Sequence, residues 1–324
     1  MNETSEQTTR VSVVMCTYNG RRFLREQMDS ILAQDLKPYE IIVQDDLSTD
    51  DTWDLLETYQ RDYPGLVKIH RNAERLGFNR NFHTAMLRAT GDYIAISDQD
   101  DIWFPQKLRR QVEAIGQADC CVSEYYTDPT YDLPLHHRVT PKLAFEHVLF
   151  YDPTPGHVML LRTSFVRSIT EWNYRIYYDW WLAVHALMGR GIALAEEPLN
   201  WHRHYVGSAT TQVFRKGFFE PVEHPTWQPY VVGLLNRYRL QRNPQWKAFY
   251  SYLVRHIDRN AHPLAATIAR LQTRRCPFAL LRLCALCARH YKLVYPRNPE
   301  GWKGRLHGFF YPMISAYGNA LFKL

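Results

Sequence analysis

The sequence predicts an α/β protein in which a mostly parallel sheet flanked by helices is followed by a mainly helical, basic region. Three observations predict it. From Val11 to Ser123, short β-branched runs alternate with segments of helical periodicity, the pattern of a parallel sheet with crossover helices. Two of those runs end in acidic clusters, at Asp45-Asp46 and at Asp98 to Asp101. Charge divides the chain: residues 211–324 hold 18 Lys and Arg against 4 Asp and Glu, and residues 1–210 hold 21 against 29. An acidic half joined to a basic half suggests two jobs, a metal site in the first and an anionic surface facing the second.

Val11 to Met15 is a β-branched run and the first strand. Thr17-Tyr18-Asn19-Gly20 breaks it, and Phe23, Leu24, Gln27, Met28, Ile31 and Leu32 then recur at helical spacing, so residues 21–34 read as a helix. Glu40 to Gln44 is the second strand. Ser48 and Asp50 are N-cap candidates for a helix over about residues 52–61. Leu66 to His70 is a third strand, Asn79 to Ala89 a helix and Asp92 to Ser97 the central strand. Pro105 sits where the next helix should start, since its missing N–H costs nothing there. Asp119 to Ser123 is a further short strand. Beyond residue 211 the pattern is helical over Tyr230–Leu240, Gln245–Arg259, Leu264–Arg274 and Phe278–Val294.

Composition and motif searches exclude several classes. Hydrophobic residues make up 46%, which fits a folded chain with a sizeable core. No G-x-G-x-x-G follows the first strand and no G-x-x-x-x-G-K-S/T occurs, against a dinucleotide enzyme or a P-loop phosphotransferase. Cys284 and Cys287 form a lone C-x-x-C with helical, apolar flanks, so packing is expected there and not zinc. Met1 to Arg10 is polar, without the apolar core of a secretory signal, and no run is long enough to span a bilayer; a cytoplasmic location is expected. In the basic half, an amphipathic helix carrying Arg282 and Arg289 could lie on the inner face of the membrane, held by anionic lipid. Nucleic acid is not expected, for want of any binding motif.

Carboxylates at the carboxyl end of a buried strand sit where open α/β sheets bind ligands, and can grip a hard divalent cation beside a diphosphate. Four blocks then carry a resemblance: VSVVMCTYNG (Val11 to Gly20), EIIVQDDLSTD (Glu40 to Asp50), GDYIAISDQDDIW (Gly91 to Trp103) and Pro-x-Lys-Leu (Pro105 to Leu108). In order and content they resemble the family-2 glycosyltransferases, inverting enzymes of the GT-A (nucleotide-diphospho-sugar transferase) fold. The S-D-Q-D-D-I-W version is similar to the rhamnosyltransferase-like branch that builds bacterial surface polysaccharides. The resemblance covers about residues 10–210, with 211–324 as a separate basic, mainly helical region for acceptor or membrane association.

The resemblance implies that Thr17 and Tyr18 contact the nucleotide, that Asp46 binds the base and that Arg80 helps hold the diphosphate. It implies that Asp98 faces the ribose or sugar and that Asp100 coordinates Mg²⁺ or Mn²⁺, although Asp101 could shift that register by one. Tyr177-Tyr178-Asp179-Trp180-Trp181 matches the block carrying the catalytic base, which makes Asp179 the base; Tyr178 stands where the family often has Glu. In Trp201-His202-Arg203-His204 the family's metal-binding His falls at His204, with His202 the competitor. His157, Trp180 and Trp181 are the acceptor candidates. The donor implied is a dTDP- or UDP-sugar, with L-rhamnose one candidate, and the acceptor a saccharide or lipid-linked saccharide. A nucleotidyltransferase would bring a Gly- and Arg/Lys-rich loop where Thr17-Tyr18-Asn19-Gly20 stands. An inactive carbohydrate-binding scaffold would be expected to lose the carboxylates that are present here.

Overall fold

The computed structural model describes residues 9–128, 137–203, 227–295, 300–318 and 322. The chain forms two compact units, residues 1–141, 154–174 and 181–204 in one and residues 142–153, 175–180 and 205–324 in the other. The second unit thus takes two short pieces from inside the first predicted domain.

The first unit is built on one sheet. Its strands are β1 (Val11–Thr17), β2 (Glu40–Asp45), β3 (Val67–Arg71), β4 (Tyr93–Ser97), β5 (Ile102–Trp103), β6 (Cys120–Asp128), β7 (His137–Val139), β8 (Met159–Arg162) and β9 (Ile192–Arg203). They run in the order β3-β2-β1-β4-β8-β6-β9-β5, with β7 paired to β6. The β3-β2-β1-β4 half is parallel, as the alternation predicts. The other half is mixed: β8 is antiparallel to β4 and β6, and β5 to β9, while β9 is parallel to β6. The long β9 was not legible as a strand because Pro198 interrupts its apolar pattern. The ladder absorbs that proline at a register shift, where Ser123 pairs Ala195 and Glu124 pairs Pro198.

Helices α1 (Leu24–Leu32), α2 (Thr52–Asp62), α3 (Phe78–Met86) and α4 (Lys107–Ala114) connect the strands, followed by α5 (Phe145–Val148), α6 (Thr163–Ser168) and α7 (Tyr178–Met188). The core lies where β1 meets α1 and α2: Val11, Val13 and Met15 pack with Leu24, Met28, Ile31, Leu55 and Leu56. These are the positions that strand alternation and helical spacing select. The N-cap of α2 is Asp51, whose side chain makes no capping bond; of the two predicted caps, Asp50 stands one residue earlier and accepts from Thr52 N at 3.1 Å, and Ser48 belongs to the preceding turn.

The first residue of β2 is a buried acid, Glu40. It accepts hydrogen bonds from Lys68 Nζ (2.6 Å), Ser12 Oγ (2.7 Å), Thr90 N (2.7 Å) and Thr90 Oγ1 (2.8 Å). Burial alone would raise its pKa, but these donors outweigh it and hold the carboxyl down at about 2. A depressed carboxyl stabilises the fold above its unfolded pKa and ceases to do so as pH falls through the folded value. Glu40→Gln is therefore expected to cost about 2–3 kcal/mol near neutrality. The deficit should shrink as pH falls from about 4 toward 2 in urea melts; an undiminished deficit at low pH would disprove the linkage.

The second unit holds α5 and, in its own part of the chain, α8 (Gln228–Leu240), α9 (Pro244–His256), α10 (Pro263–Thr273), α11 (Pro277–Arg289), α12 (Tyr291–Val294) and α13 (Gly301–Tyr317). Proline stands in the first turn of α8, α9, α10 and α11. The helix expected over Phe278–Val294 breaks at His290 into α11 and α12. Small residues let helices approach closely: a Cβ on Gly308 would lie 2.6 Å from Cys287 O, and one on Gly233 would lie 2.2 Å from Met313 O. Cys284 and Cys287 are buried in this packing, and burial pushes the Cys284 thiol up to about 11, in keeping with the packing role expected of the pair. Among the described residues no helix is long and apolar enough to cross a membrane.

Candidate active site

The loops after β1, β2 and β4 are bound to one another at the carboxyl edge of the parallel strands. Asn19 (φ 50°) and Leu47 (φ 60°) hold left-handed backbone in the first two, a conformation that costs free energy in a non-glycine residue and so marks a place where the surroundings impose it. Asn19 Oδ1 accepts from Thr49 N at 2.8 Å, and Ser48 Oγ accepts from Asn19 N at 2.9 Å, so each loop fixes the other. The residue between Asp98, predicted to face the donor, and Asp100, predicted to hold the metal, serves the same end. Gln99 Oε1 accepts from Tyr18 N at 2.9 Å and its Nε2 donates to Tyr18 O at 3.1 Å. Gly20 makes room for that amide, since a Cβ there would meet Gln99 Oε1 at 2.2 Å.

The adjacent acids at the end of β2, Asp45 and Asp46, divide their work. Asp45 accepts from Thr17 Oγ1 (3.0 Å) and Ser48 N (2.9 Å), closing the turn. Asp46 is buried and accepts from Asn72 Nδ2 (2.8 Å), Leu76 N (2.7 Å) and Gly77 N (2.9 Å). Asp46 thereby shapes the segment that brings the Arg75 guanidinium to 3.5 Å from the centre of the Tyr18 ring. The hydroxyl of Thr17, a predicted nucleotide contact, is turned inward to Asp45. Arg80 is exposed in the first turn of α3 with its guanidinium 4.9 Å from the Tyr174 ring centre.

Asp98 and Asp100 are half-buried in the loop after β4, and the end of β9 grips that loop. Arg203 Nε donates to Asp100 O (3.0 Å) and its Nη2 to Glu26 Oε2 (2.6 Å), with the guanidinium 4.1 Å from the Phe23 ring centre. Asp101, fully buried, takes His202 Nδ1 at 2.9 Å and Arg203 N at 3.2 Å, with His157 Nδ1 at 3.6 Å. Burial would push His202 down, but the charge and hydrogen bond of Asp101, with Asp98 and Asp100 behind, raise it to about 9. Burial likewise opposes ionisation of Asp101, yet His202 and His157 hold it down at about 2. Below them Lys107 Nζ donates to His157 O at 3.1 Å; its burial drops the amine to about 7.

Asp101, His157 and His202 offer ligand atoms within 4.8 Å of one another. The two imidazoles, however, stack with centroids 4.3 Å apart and planes 3° from parallel. An imidazole's ligating lone pair lies in its ring plane, and one ion cannot sit in two parallel planes. The triad is thus built as an ion-paired hydrogen-bond network. The hard oxygen donors suited to Mg²⁺ or Mn²⁺ are Asp98 and Asp100 in the neighbouring loop. His204 lies outside the described residues.

In the second unit Asp179 occupies the first turn of α7 and accepts from Trp180 N at 2.9 Å. Around it lie Tyr151, Asp152 and Tyr177. Burial raises both phenols to about 12, and the charges of Asp152 and Asp179 add to the rise in each. Asp152 had no motif to mark it.

The acceptor candidates are corrected. Trp180 and Trp181 are 1% and 2% exposed. Trp180 Nε1 donates to Val148 O (2.7 Å) and its ring packs on Phe249, while Trp181 Nε1 donates to Glu171 O (3.0 Å). Neither indole has a free face for a sugar. His157 is also buried, bonded to Asn200 at 2.9 Å within the Asp101 network.

The chain is similar to known proteins in sequence and in fold. Over 112 residues the chain is 35% identical to the dTDP-rhamnosyl transferase RfbG of Shigella flexneri, an alignment covering 33% of this chain and 39% of that protein. The chain thus spans well under half of that relative's length. Among solved structures, TarS 1-349 of S. aureus in complex with UDP-GlcNAc superposes with a TM-score of 0.52 at 18% identity, over 96% of this chain and 90% of that one. The mannosyltransferase PcManGT of Pyrobaculum calidifontis, in complex with GDP-Man and Mn2+, gives 0.54 at 17% identity, over 98% and 86%. These likenesses establish the GT-A fold with a helical C-terminal region. Residues 12–169 match the family described as glycosyl transferase family 2, and the chain carries a domain of that family.

Proposed function

We propose that the protein is an inverting, metal-dependent glycosyltransferase. It moves a sugar from a nucleotide-diphospho donor to a saccharide or lipid-linked saccharide in bacterial surface polysaccharide synthesis, on the cytoplasmic face of the membrane. The observation that carries this reading is the loop bearing Asp98 and Asp100, held at the sheet's carboxyl edge by Gln99 against Tyr18 and by Arg203 from β9. Tyr18 lines the nucleotide side, Asp46 sets the segment that meets the base, and Arg80 meets the diphosphate. Asp100, with Asp98 beside it and His204 beyond β9, would hold Mn²⁺ or Mg²⁺, which when bound neutralises charge on the leaving diphosphate. The acceptor oxygen bonds to the anomeric carbon as the bond from that carbon to the diphosphate oxygen breaks. Asp179 takes the hydroxyl proton, and one displacement inverts the centre. Homology to a dTDP-rhamnosyl transferase favours dTDP-β-L-rhamnose as the donor, which would give an α-linked product.

Thermal melts with dTDP, UDP and GDP, with and without Mn²⁺, test the reading. A nucleotide at a hundred times its Kd should stabilise the fold by about 2.7 kcal/mol. The shift should depend on Mn²⁺ and vanish in Asp100→Ala; nucleotide binding that is unaltered in that variant would sink the metal assignment, and no shift with any nucleotide would sink the donor site.

A further inference from the structure

The outer stripe of α11 has no use in the chemistry above. Its inner face, Ala279, Leu283, Cys284 and Cys287, is buried in the second unit. Phe278, Leu281, Arg282, Ala285 and Arg289 are exposed and fall within an arc of about 100° at 3.6 residues per turn. Phe278 is 82% and Leu281 57% exposed, unusual for large apolar side chains on one turn. Arg274 and Arg275 are exposed just before the helix. Residues 259–299 contain no Asp or Glu and eight Lys and Arg. Trp302, on α13, which meets α11 where Gly308 abuts Cys287, is 69% exposed beside Lys303 and Arg305.

We infer that the exposed stripe of α11 docks on an anionic phospholipid bilayer, with Phe278 and Leu281 entering the acyl boundary and Arg274, Arg275, Arg282 and Arg289 on lipid phosphates. Apolar side chains flanked by arginines along one helix face are the composition of an interfacial helix. The charge selects the occupant: a second copy would bring an equally basic surface, and an aqueous polyanion would give Phe278 and Leu281 nothing to enter. Bilayer docking would hold the enzyme where a lipid-linked acceptor is presented, so it extends the proposed function without depending on it.

Co-sedimentation of the full chain with vesicles tests this. Binding is expected to phosphatidylglycerol mixed into phosphatidylcholine, not to phosphatidylcholine alone, and to weaken at high salt. Arg282→Glu/Arg289→Glu should lower the partition coefficient about fivefold or more for each arginine. Phe278→Ser/Leu281→Ser should lower it roughly tenfold or more. All four side chains are exposed, so melting temperatures should stay at the wild-type value and show that the variants fold. Equal binding to neutral vesicles overturns the inference. So does wild-type binding by Phe278→Ser/Leu281→Ser, which would mark a purely electrostatic polyanion surface such as nucleic acid uses. Nucleotide-induced thermal shifts are independent of both variants, so failure here and failure of the donor site are distinguishable.

Discussion

Replacing Asp179 with Asn is expected to lower kcat by about 10²- to 10⁴-fold, the usual contribution of a general base, while nucleotide-induced thermal stabilisation stays at the wild-type level. The substitution is structurally mild. Asp179 accepts Trp180 N at the start of α7, and an amide oxygen can accept the same bond. What it removes is basicity. Tyr151 and Tyr177, with phenols raised to about 12, stay neutral at working pH and cannot replace it. Among the described residues Asp152 is the other carboxylate acting on both phenols, so Asp152→Asn is the control, with a much smaller expected loss. Single-turnover and steady-state rates on both variants decide the assignment. A fully active Asp179→Asn, or a larger loss in Asp152→Asn, would move the base to Asp152.

The parts of the fold that rest on local pattern were legible in the sequence. The strands β1, β2 and β4, the helices α1 and α2, and the acidic ends of two strands follow from β-branched runs and helical spacing. What escaped depends on contacts far apart in the chain. Asp101 meets His202 across 101 residues and Arg203 meets Asp100 across 103, and no local periodicity encodes such pairs. The antiparallel pairings of the sheet were hidden for the same reason, and β9 also by the Pro198 within it. The misreading of Trp180 and Trp181 was avoidable. The helix YDWWLAVHALM is apolar all round, the signature of a buried helix, and it argues for core packing before sugar stacking. Gln99 was invisible for a different reason: a motif written Asp-x-Asp assigns its middle residue nothing, whereas here that residue ties Tyr18 to the acidic loop.

Asp101→Asn is expected to destabilise the first unit by about 3 kcal/mol, because it leaves a buried imidazolium without its counter-charge. Asp101 is fully buried between His202 and His157, with Lys107 beneath, and its carboxylate bonds His202 Nδ1 at 2.9 Å. The neutral amide can still accept one hydrogen bond, so the loss measures charge more than shape. His202→Gln removes the other member of the pair. If the two act as one unit, the double variant should lose less than the sum of the single losses, by about 1–3 kcal/mol in urea unfolding. Function should follow structure: Arg203 bonds both Asp101 and the Asp100 carbonyl, so loosening Asp101 should raise KM for the donor more than it lowers kcat. A single-variant cost within about 0.5 kcal/mol of wild type, the ordinary range for a surface change, would show that the network is not what holds the acidic loop in place.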